Sequence, residues 1–342
     1  MLTTPGPSGA EAAVGALWRE AAAAFAEVEV DAMGSSIARV AGSGEGPLLA
    51  IVGHVDEIGL IVSHVDDEGF LRFGGVGGWD PVILVGQRVS LLTRAGTVEG
   101  VIGKKPIHLL KDEDRKRVPE LKDLHIDIGA RDGEEARSRV RVGDVAVIAG
   151  EPLELPNGRI ASRALDNRIG CWVAYEAARL VAEAGGAPGP VAAVAAVQEE
   201  TSLAGSQTTA YSLEPDVAIV VDVTFATDQP GIELGEVTRH PFGSGPVLMR
   251  GANLHPGVFE LLCETAEAEG IPFTIESVGR MTSTDVDAVH VSRGGVPTAG
   301  VMVPLRYMHS PVEMAQLDDL EHTARLCAAF AQRLSAATSF AR

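Results

Sequence analysis

The order of apolar and polar positions divides the chain into two kinds of segment. After Pro156, nearly continuous apolar runs alternate with segments of helical period, as in GPVAAVAAVQEE followed by LAGSQTTAYSL. Strands that are apolar throughout are buried on both faces, which is typical of parallel sheets covered by helices. A first helix is predicted from Gly9 to Phe25, ahead of the apolar strand PLLAIVGHV. Together these segments predict an α/β fold, a three-layer sandwich around a mostly parallel central sheet.

Between residues 67 and 155 the chain consists of short β-branched runs separated by glycines, with few helical signals. Such runs indicate antiparallel hairpins, and here they predict a small β-barrel inserted into the larger frame. The charged run from Lys111 to Arg117 is expected to be a solvated loop. The predicted domains are therefore 1–66 together with 156–342, and the insert 67–155.

Charge and composition exclude two classes of partner. The 342 residues carry a formal net charge of −19, which opposes contact with a polyanion, so we expect no nucleic-acid partner. No run of about eighteen apolar residues is present, so we expect no membrane partner. The N-terminus has no basic segment before an apolar run, and the three cysteines show no metal-finger spacing. A cytoplasmic protein with reduced thiols is the expectation.

Ionisable side chains end one predicted buried strand after another. Because ligand sites in such sheets form where the carboxyl ends of the strands meet, we expect these side chains to lie together. They are His54 and Asp56 after LLAIVG, Glu199 and Glu200 after VAAVAAV, Asp222 after VAIVV, His309 after GVMVPL, and Asp166 before a helix.

Each of these residues alone has an ordinary explanation, such as a helix cap for Asp166. Together the explanations fail, because converging carboxylates repel one another unless a cation balances them. Two histidines with several carboxylates suit a pair of Zn, Co or Mn ions, whereas Ca prefers more oxygen ligands. One aspartate would bridge the ions, and a glutamate that binds neither ion would act as base toward an acidified water. His54 is then a ligand, and Asp56 fixes its tautomer.

Five stretches resemble the dinuclear-metal aminopeptidases of the tetrahedral and glutamyl aminopeptidase group, which are zinc peptidases of clan MH. The stretches are GHVDEIG, RALDNRIG, VQEE, VDVT and RYMHSPVE, and their order and spacing match along nearly the whole chain. The resemblance implies a metal-dependent aminopeptidase acting on peptides, with two divalent ions per subunit, Zn or Co before Mn. It also implies that the insert mediates dimer contacts, within homo-oligomers that range from a dimer to a dodecamer.

The same resemblance assigns a role to each site residue. By it, His54, Glu200, Asp222 and His309 each bind one ion, Asp166 bridges both, Glu199 is the general base, and Asp56 supports His54. The base is implied to protonate the leaving amine afterwards. Which glutamate is base and which is ligand follows from the family only.

Two stretches depart from the family pattern. After the two glutamates, Ser202 and Ala204 replace a glycine and an arginine; STDVDA replaces GTDA, with Val286 before a second acid, Asp287. Because the metal residues are intact, these departures concern substrate contacts and assembly. Asp285 or Asp287 could attract a basic side chain or the substrate amine, and helix capping is the alternative for both.

Other functions stay open on the sequence. An amidohydrolase or deblocking deacylase of small N-acyl substrates would use the same metal chemistry. A non-catalytic assembly or peptide-binding protein would keep the fold, although every predicted ligand and the base are present. A glycosidase would need two metal-free carboxylates, and most carboxylates here are committed to metal.

Overall fold

The computed structural model describes residues 1–233, 235 and 238–340. The helices are α1 (Ala12–Ala22), α2 (Pro81–Leu84), α3 (Gly133–Arg139), α4 (Leu165–Glu183), α5 (Glu199–Ser202), α6 (Ala204–Leu213), α7 (Pro256–Glu269), α8 (Val286–Val289) and α9 (Leu317–Arg333). The strands are β1 (Glu27–Val30), β2 (Ser36–Val40), β3 (Leu49–His54), β4 (Gly59–Val65), β5 (Leu71–Val76), β6 (Arg88–Thr93), β7 (Gly96–Lys104), β8 (Leu124–Asp127), β9 (Val145–Ile148), β10 (Leu153–Leu155), β11 (Arg159–Ser162), β12 (Val191–Ala196), β13 (Val217–Phe225), β14 (Val247–Gly251), β15 (Thr274–Val278), β16 (Thr298–Arg306) and β17 (Glu313–Gln316).

The larger sheet contains 11 strands within the described residues, in the order β1-β2-β12-β3-β13-β16-β17-β11-β10, with β14 and β15 branching from β16. Its four central strands, β12, β3, β13 and β16, run parallel. Every residue of β12 and β3 is buried, as expected of strands covered on both faces. The predicted α/β fold with a mostly parallel central sheet is confirmed.

Helices cover both faces of this sheet and complete the three layers. On one face, α1, α4 and α9 bury Trp18, Val173 and Phe330 in the larger core. On the other face, α6 and α8 bury Leu213 and Val289 in a second core. The strands that carry His54 and Asp222, β3 and β13, are therefore fixed from both sides.

Six strands close into a separate barrel, in the order β4-β5-β8-β7-β6-β9. Its interior is filled by apolar side chains such as Leu60 and Leu91, both 0% exposed. The barrel runs from Gly59 to Ile148, so both of its ends lie earlier in the chain than the predicted limits of 67–155. The difference arises because β4 pairs with β5 and β9, whereas β10 pairs with β11 of the larger sheet.

Strand β3 and helix α4 touch through their backbones. A Cβ built on Gly53 would lie 2.4 Å from the carbonyl carbon of Gly170, closer than real side chains come. Glycine at position 53 is therefore required for this approach. The contact fixes how far His54, the next residue, lies from the start of α4.

Two predictions from composition can be compared with the fold. None of the described helices combines the length and apolar character needed to cross a bilayer. Cys171, Cys263 and Cys327 are free, and burial raises the pKa of the Cys327 thiol to about 12. Cys171 and Cys327 are buried and Cys263 is partly buried, so all three fit the expected role of reduced packing residues.

Candidate active site

The carboxyl ends of the central strands bring the predicted site residues together at one edge of the sheet. Their ligand atoms form three overlapping groups, and within each group the atoms lie within 4.8 Å of one another. The groups are His54 with Asp166 and Asp222, His54 with Glu199 and Glu200, and Asp166 with Glu200 and His309. All six residues that the sequence singled out for metal binding or base catalysis therefore meet in one cluster.

Asp166 lies between the two histidines. Its Oδ1 atom is 3.3 Å from His54 Nε2, and its Oδ2 atom is 3.5 Å from His309 Nε2. Burial alone would raise the pKa of Asp166, but the two imidazoles outweigh burial and hold it below its usual range. The backbone of Asp166 and Asn167 is not helical, and Asn167 caps the helix that follows by accepting from the amide of Gly170 at 2.9 Å. Asp166 is therefore not the capping side chain. Its carboxylate can serve two partners at once.

Both ring nitrogens of His54 lie close to carboxylate oxygens. It is 1% exposed, and its Nε2 atom lies 3.6 Å from Glu199 Oε2 and 3.9 Å from Asp222 Oδ1. Its Nδ1 atom lies 3.4 Å from Asp56 Oδ1. Burial opposes protonation of His54, but Glu199, Asp166 and Asp56 outweigh it and raise its pKa well above the ordinary value.

His309 is oriented by the barrel segment. Its Nδ1 atom lies 2.9 Å from the carbonyl oxygen of Gly78, between β5 and α2. A carbonyl only accepts, so Nδ1 is the protonated nitrogen, and neutral His309 keeps a lone pair on Nε2. That Nε2 atom is 3.4 Å from Glu200 Oε2. Hydrogen bonding to Asp166 raises the pKa of His309 to about 9, burial opposes this, and Glu200 adds to the rise.

Asp56 organises the backbone that carries the two glutamates. Its carboxylate accepts hydrogen bonds from the amides of Glu199, at 3.1 Å, and Glu200, at 3.2 Å. The Ser8 hydroxyl donates a third bond to it, at 2.6 Å. Burial raises the pKa of Asp56, but His54 and these donors outweigh burial and lower it. This geometry agrees with the predicted support of His54 by Asp56. It also shows that Asp56 holds the backbone of both glutamates.

Glu313 is a site residue that the sequence reasoning missed. It is 2% exposed, and its carboxylate accepts from the amide of Asp166 at 3.0 Å and from that of His309 at 2.9 Å. One buried side chain thus fixes the backbone of two candidate ligands. The signal was its place in RYMHSPVE, four residues after His309.

Three non-glycine residues beside the cluster have left-handed backbones. The φ angles of Ala164, Gln198 and His309 are 59°, 57° and 58°. Side chains rarely tolerate this region, and such residues concentrate where a functional group must be held in one direction. Ala164 lies two residues before Asp166, Gln198 directly precedes Glu199, and His309 carries the second imidazole.

The cluster has more negative charge than the protein itself balances. Burial raises the pKa of Glu199 to about 10, and Asp222 and the other carboxylates add to this rise against His54. Burial also raises the pKa of Glu200 to about 8 and that of Asp222 to about 8, and in each case Asp166 adds to the rise. No lysine or arginine is among the described residues that line the cleft. Two imidazoles with shared carboxylates therefore fit divalent cations in charge and in donor type.

A cleft of about 640 Å³ opens over the cluster. Ser202 and Leu203 line it on one side, and residues 281–284 line it on the other. Asp287 accepts from the amides of Thr282 and Ser283, at 3.0 and 2.8 Å, so it holds that loop in shape. Asp285 is 1% exposed and does not line the cleft. Of the two acids in STDVDA, only Asp287 therefore lines the cleft, and its carboxylate is already bonded to backbone amides.

Comparisons with known proteins agree with the fold and the site. The model of the M42 glutamyl aminopeptidase family matches residues 34–326. A lysyl aminopeptidase of Pyrococcus furiosus is 35% identical over 310 residues, which cover 90% of this chain and 87% of the relative.

Solved structures give the same result. The TET aminopeptidase of the marine sediment archaeon Thaumarchaeota archaeon SCGC AB-539-E09 has a TM-score of 0.93 at 38% identity, covering 98% of this chain and 94% of that one. The TET1 peptidase of Pyrococcus horikoshii, which can assemble into a tetrahedron or a large octahedral shell, has a TM-score of 0.86 at 34% identity, and 97% of each chain is covered. The chain therefore belongs to the M42 glutamyl aminopeptidase family and is a peptide hydrolase.

Proposed function

We propose that the protein is a metal-dependent aminopeptidase that releases N-terminal residues from peptides, using two divalent ions and a glutamate base. The observation that carries this proposal is the position of Asp166 between His54 and His309. Asp222 completes a group around the first histidine, and Glu200 completes one around the second. Two similar half-sites that share one carboxylate are what a pair of ions needs.

The types of donor atom narrow the choice of metal ion. Each half-site offers one imidazole nitrogen, a shared carboxylate and one further carboxylate. This mixture favours Zn or Co, and Mn after them. When bound, the two ions would acidify a water molecule and polarise the scissile carbonyl.

Glu199 is the carboxylate of the cluster that is not assigned as a ligand in either half-site. It lies beside His54, which already faces Asp166 and Asp222, so it is not needed as a ligand. In the metal-free protein burial raises its pKa. Bound cations would lower that pKa and leave Glu199 as a carboxylate that can accept a proton. We assign it the role of general base, which takes the proton of the attacking water and delivers it to the leaving amine.

The relatives favour a substrate with a free N-terminal amine over an N-acyl substrate. The matching family model is that of a glutamyl aminopeptidase, and the relative from Pyrococcus furiosus is a lysyl aminopeptidase. This supports an aminopeptidase over the deacylase that the sequence left open.

We also propose that the barrel mediates homo-oligomeric assembly. Ile107, Leu109 and Val118, in the segment between β7 and β8, are 59%, 66% and 64% exposed. Large apolar side chains grouped in one surface segment favour a protein contact. Analytical ultracentrifugation of the protein and of the Leu109→Glu variant would test this. Unchanged sedimentation of the variant would count against the barrel as the interface.

The decisive test of the activity is a panel of free and N-acetylated aminoacyl anilides, assayed with chelator and with added Zn or Co. We expect cleavage of the free amines alone, abolished by the chelator and restored by metal. Faster cleavage of the acetylated set would move the function to a deacylase. Absence of cleavage with every metal and substrate would refute the enzyme proposal.

A further inference from the structure

Beyond the catalytic cluster, the cleft has a second acidic feature. Of the described residues that line it, only Glu276 and Asp287 carry a charge without belonging to the cluster. The Asp287 carboxylate is occupied, because it accepts from the amides of Thr282 and Ser283 and from the side chain of Asn253 at 3.1 Å. Glu276 is therefore the charge left to be explained.

Glu276 is a partly buried carboxylate in the wall of the cleft. Burial raises the pKa of this carboxyl group, and a hydrogen bond with the Thr224 side chain lowers it. A partly buried carboxylate is costly unless a positive charge lies beside it, so the position suits a cationic group of the ligand.

The strand register places this carboxylate in the wall of the cleft. Glu276 lies in β15 directly opposite Met249 of β14, and paired residues share a face of the sheet. Met249 also lines the cleft and is 5% exposed. The carboxylate is thus held by a paired strand rather than by a free loop.

The cleft that contains Glu276 also has large apolar side chains in its wall. Phe225, Met281 and Met308 are among its lining residues. Thioether and aromatic side chains pack well against a flexible chain of methylene groups. A cleft that offers both apolar side chains and a carboxylate is complementary to a side chain with a long aliphatic stem and a positive end.

We propose that Glu276 makes the enzyme selective for peptides whose N-terminal residue is lysine or arginine. This inference rests on the proposed aminopeptidase function, since it names the side chain that the same cleft accepts. The ammonium or guanidinium would pair with the carboxylate of Glu276, while the stem packs against Met281 and Phe225. An N-terminal glutamate would meet a like charge there and be rejected.

The test compares 4-nitroanilides of lysine, arginine, leucine and glutamate with the metal-loaded enzyme. We expect kcat/KM to be highest for the two basic residues. Glu276→Gln should lower the ratio of kcat/KM for lysine to that for leucine by tenfold or more, chiefly through KM. Glu269→Gln, an exposed change at the end of α7, is the matched control and should leave the ratio as it is.

A binding measurement separates selectivity from catalysis. As a competitive inhibitor of the metal-loaded enzyme, lysine should bind more tightly than norleucine, which lacks only the terminal ammonium. Glu276→Gln should remove that difference. Metal-dependent cleavage in which leucine is preferred, with a ratio unaffected by Glu276→Gln, would overturn the selectivity while leaving the aminopeptidase intact. Absence of cleavage of every anilide would instead refute the proposed function.

Discussion

Ser8 donates a hydrogen bond of 2.6 Å to Asp56, and through it the N-terminal segment reaches the catalytic cluster. The same carboxylate holds the amides of Glu199 and Glu200. A second contact lies nearby, because Glu11 accepts from the amide of Gln198 at 3.2 Å. The segment before α1 is thus part of the frame that positions the two glutamates.

Removal of the Ser8 hydroxyl should loosen this frame. A hydrogen bond to a charged group contributes about 1.5–3 kcal/mol, so Ser8→Ala should weaken metal binding by about tenfold and lower the free energy of unfolding. Metal titration followed by calorimetry measures the first effect, and urea unfolding the second. Ser212→Ala, whose hydroxyl bonds only within its own helix, is the control. Equal metal affinity in both variants would contradict the role of Ser8.

Replacement of Glu313 should affect both half-sites at once. Gln has one carbonyl oxygen, so in Glu313→Gln either the Asp166 amide or the His309 amide would face an NH2 group. A buried donor without an acceptor costs about 1–3 kcal/mol, and we expect a lower melting temperature together with weaker binding of both ions. Differential scanning calorimetry and metal analysis check this. Loss of one ion only, with the other bound as tightly as before, would argue against a role of Glu313 in both half-sites.

Glu199→Gln and Glu200→Gln form a matched pair that separates base from ligand. Glu199→Gln should lower kcat by about 100- to 10,000-fold while the protein still binds two ions, because general-base catalysis has that magnitude. Glu200→Gln should reduce the metal content, because it removes a carboxylate beside His309. Metal analysis after gel filtration distinguishes the two variants. A metal deficit in Glu199→Gln with a full complement in Glu200→Gln would reverse the assignment.

Metal binding should release protons near neutral pH. Burial raises the pKa values of Glu200 and Asp222 to about 8, so both carboxyl groups hold protons at pH 7 in the metal-free protein. A ligand carboxylate must be deprotonated, so the apparent affinity should increase as pH rises from about 6 to 8. Titration calorimetry in buffers of different ionisation enthalpy would count the protons released. An affinity that is constant over this range would be inconsistent with these protonated ligands.

Most of the ligands could be predicted from the sequence because they follow recognisable buried strands, whereas Asp166 was found from its place before a helix. LLAIVG, VAAVAAV and VAIVV are apolar throughout, and a polar residue after such a run lies at the edge of the sheet where strands end. The parallel core was predictable for the same reason. Short antiparallel additions such as β11, β14 and β17 were missed, because a strand of four or five residues has too few positions to show a period.

Two of the residues that support the ligands, Ser8 and Glu313, could not be predicted in this way. They reach the Asp56 carboxylate and the Asp166 amide, 48 and 147 residues away along the chain. A serine in a loop and a glutamate in a short strand are both ordinary, so neither residue type marks a contact over such a distance. The limits of the barrel were misjudged for a related reason: β4 and β3 are similar in composition, and only their pairing partners separate them.

The bond from His309 Nδ1 to the Gly78 carbonyl means that the barrel and the larger sheet each supply part of one half-site. Thermodynamic linkage then applies between them. Anything that fixes the segment around Gly78, including contact of the barrel with another subunit, favours the imidazole direction that a metal requires. By reciprocity, a bound metal would strengthen the contact between subunits by the same free energy by which that contact strengthens metal binding.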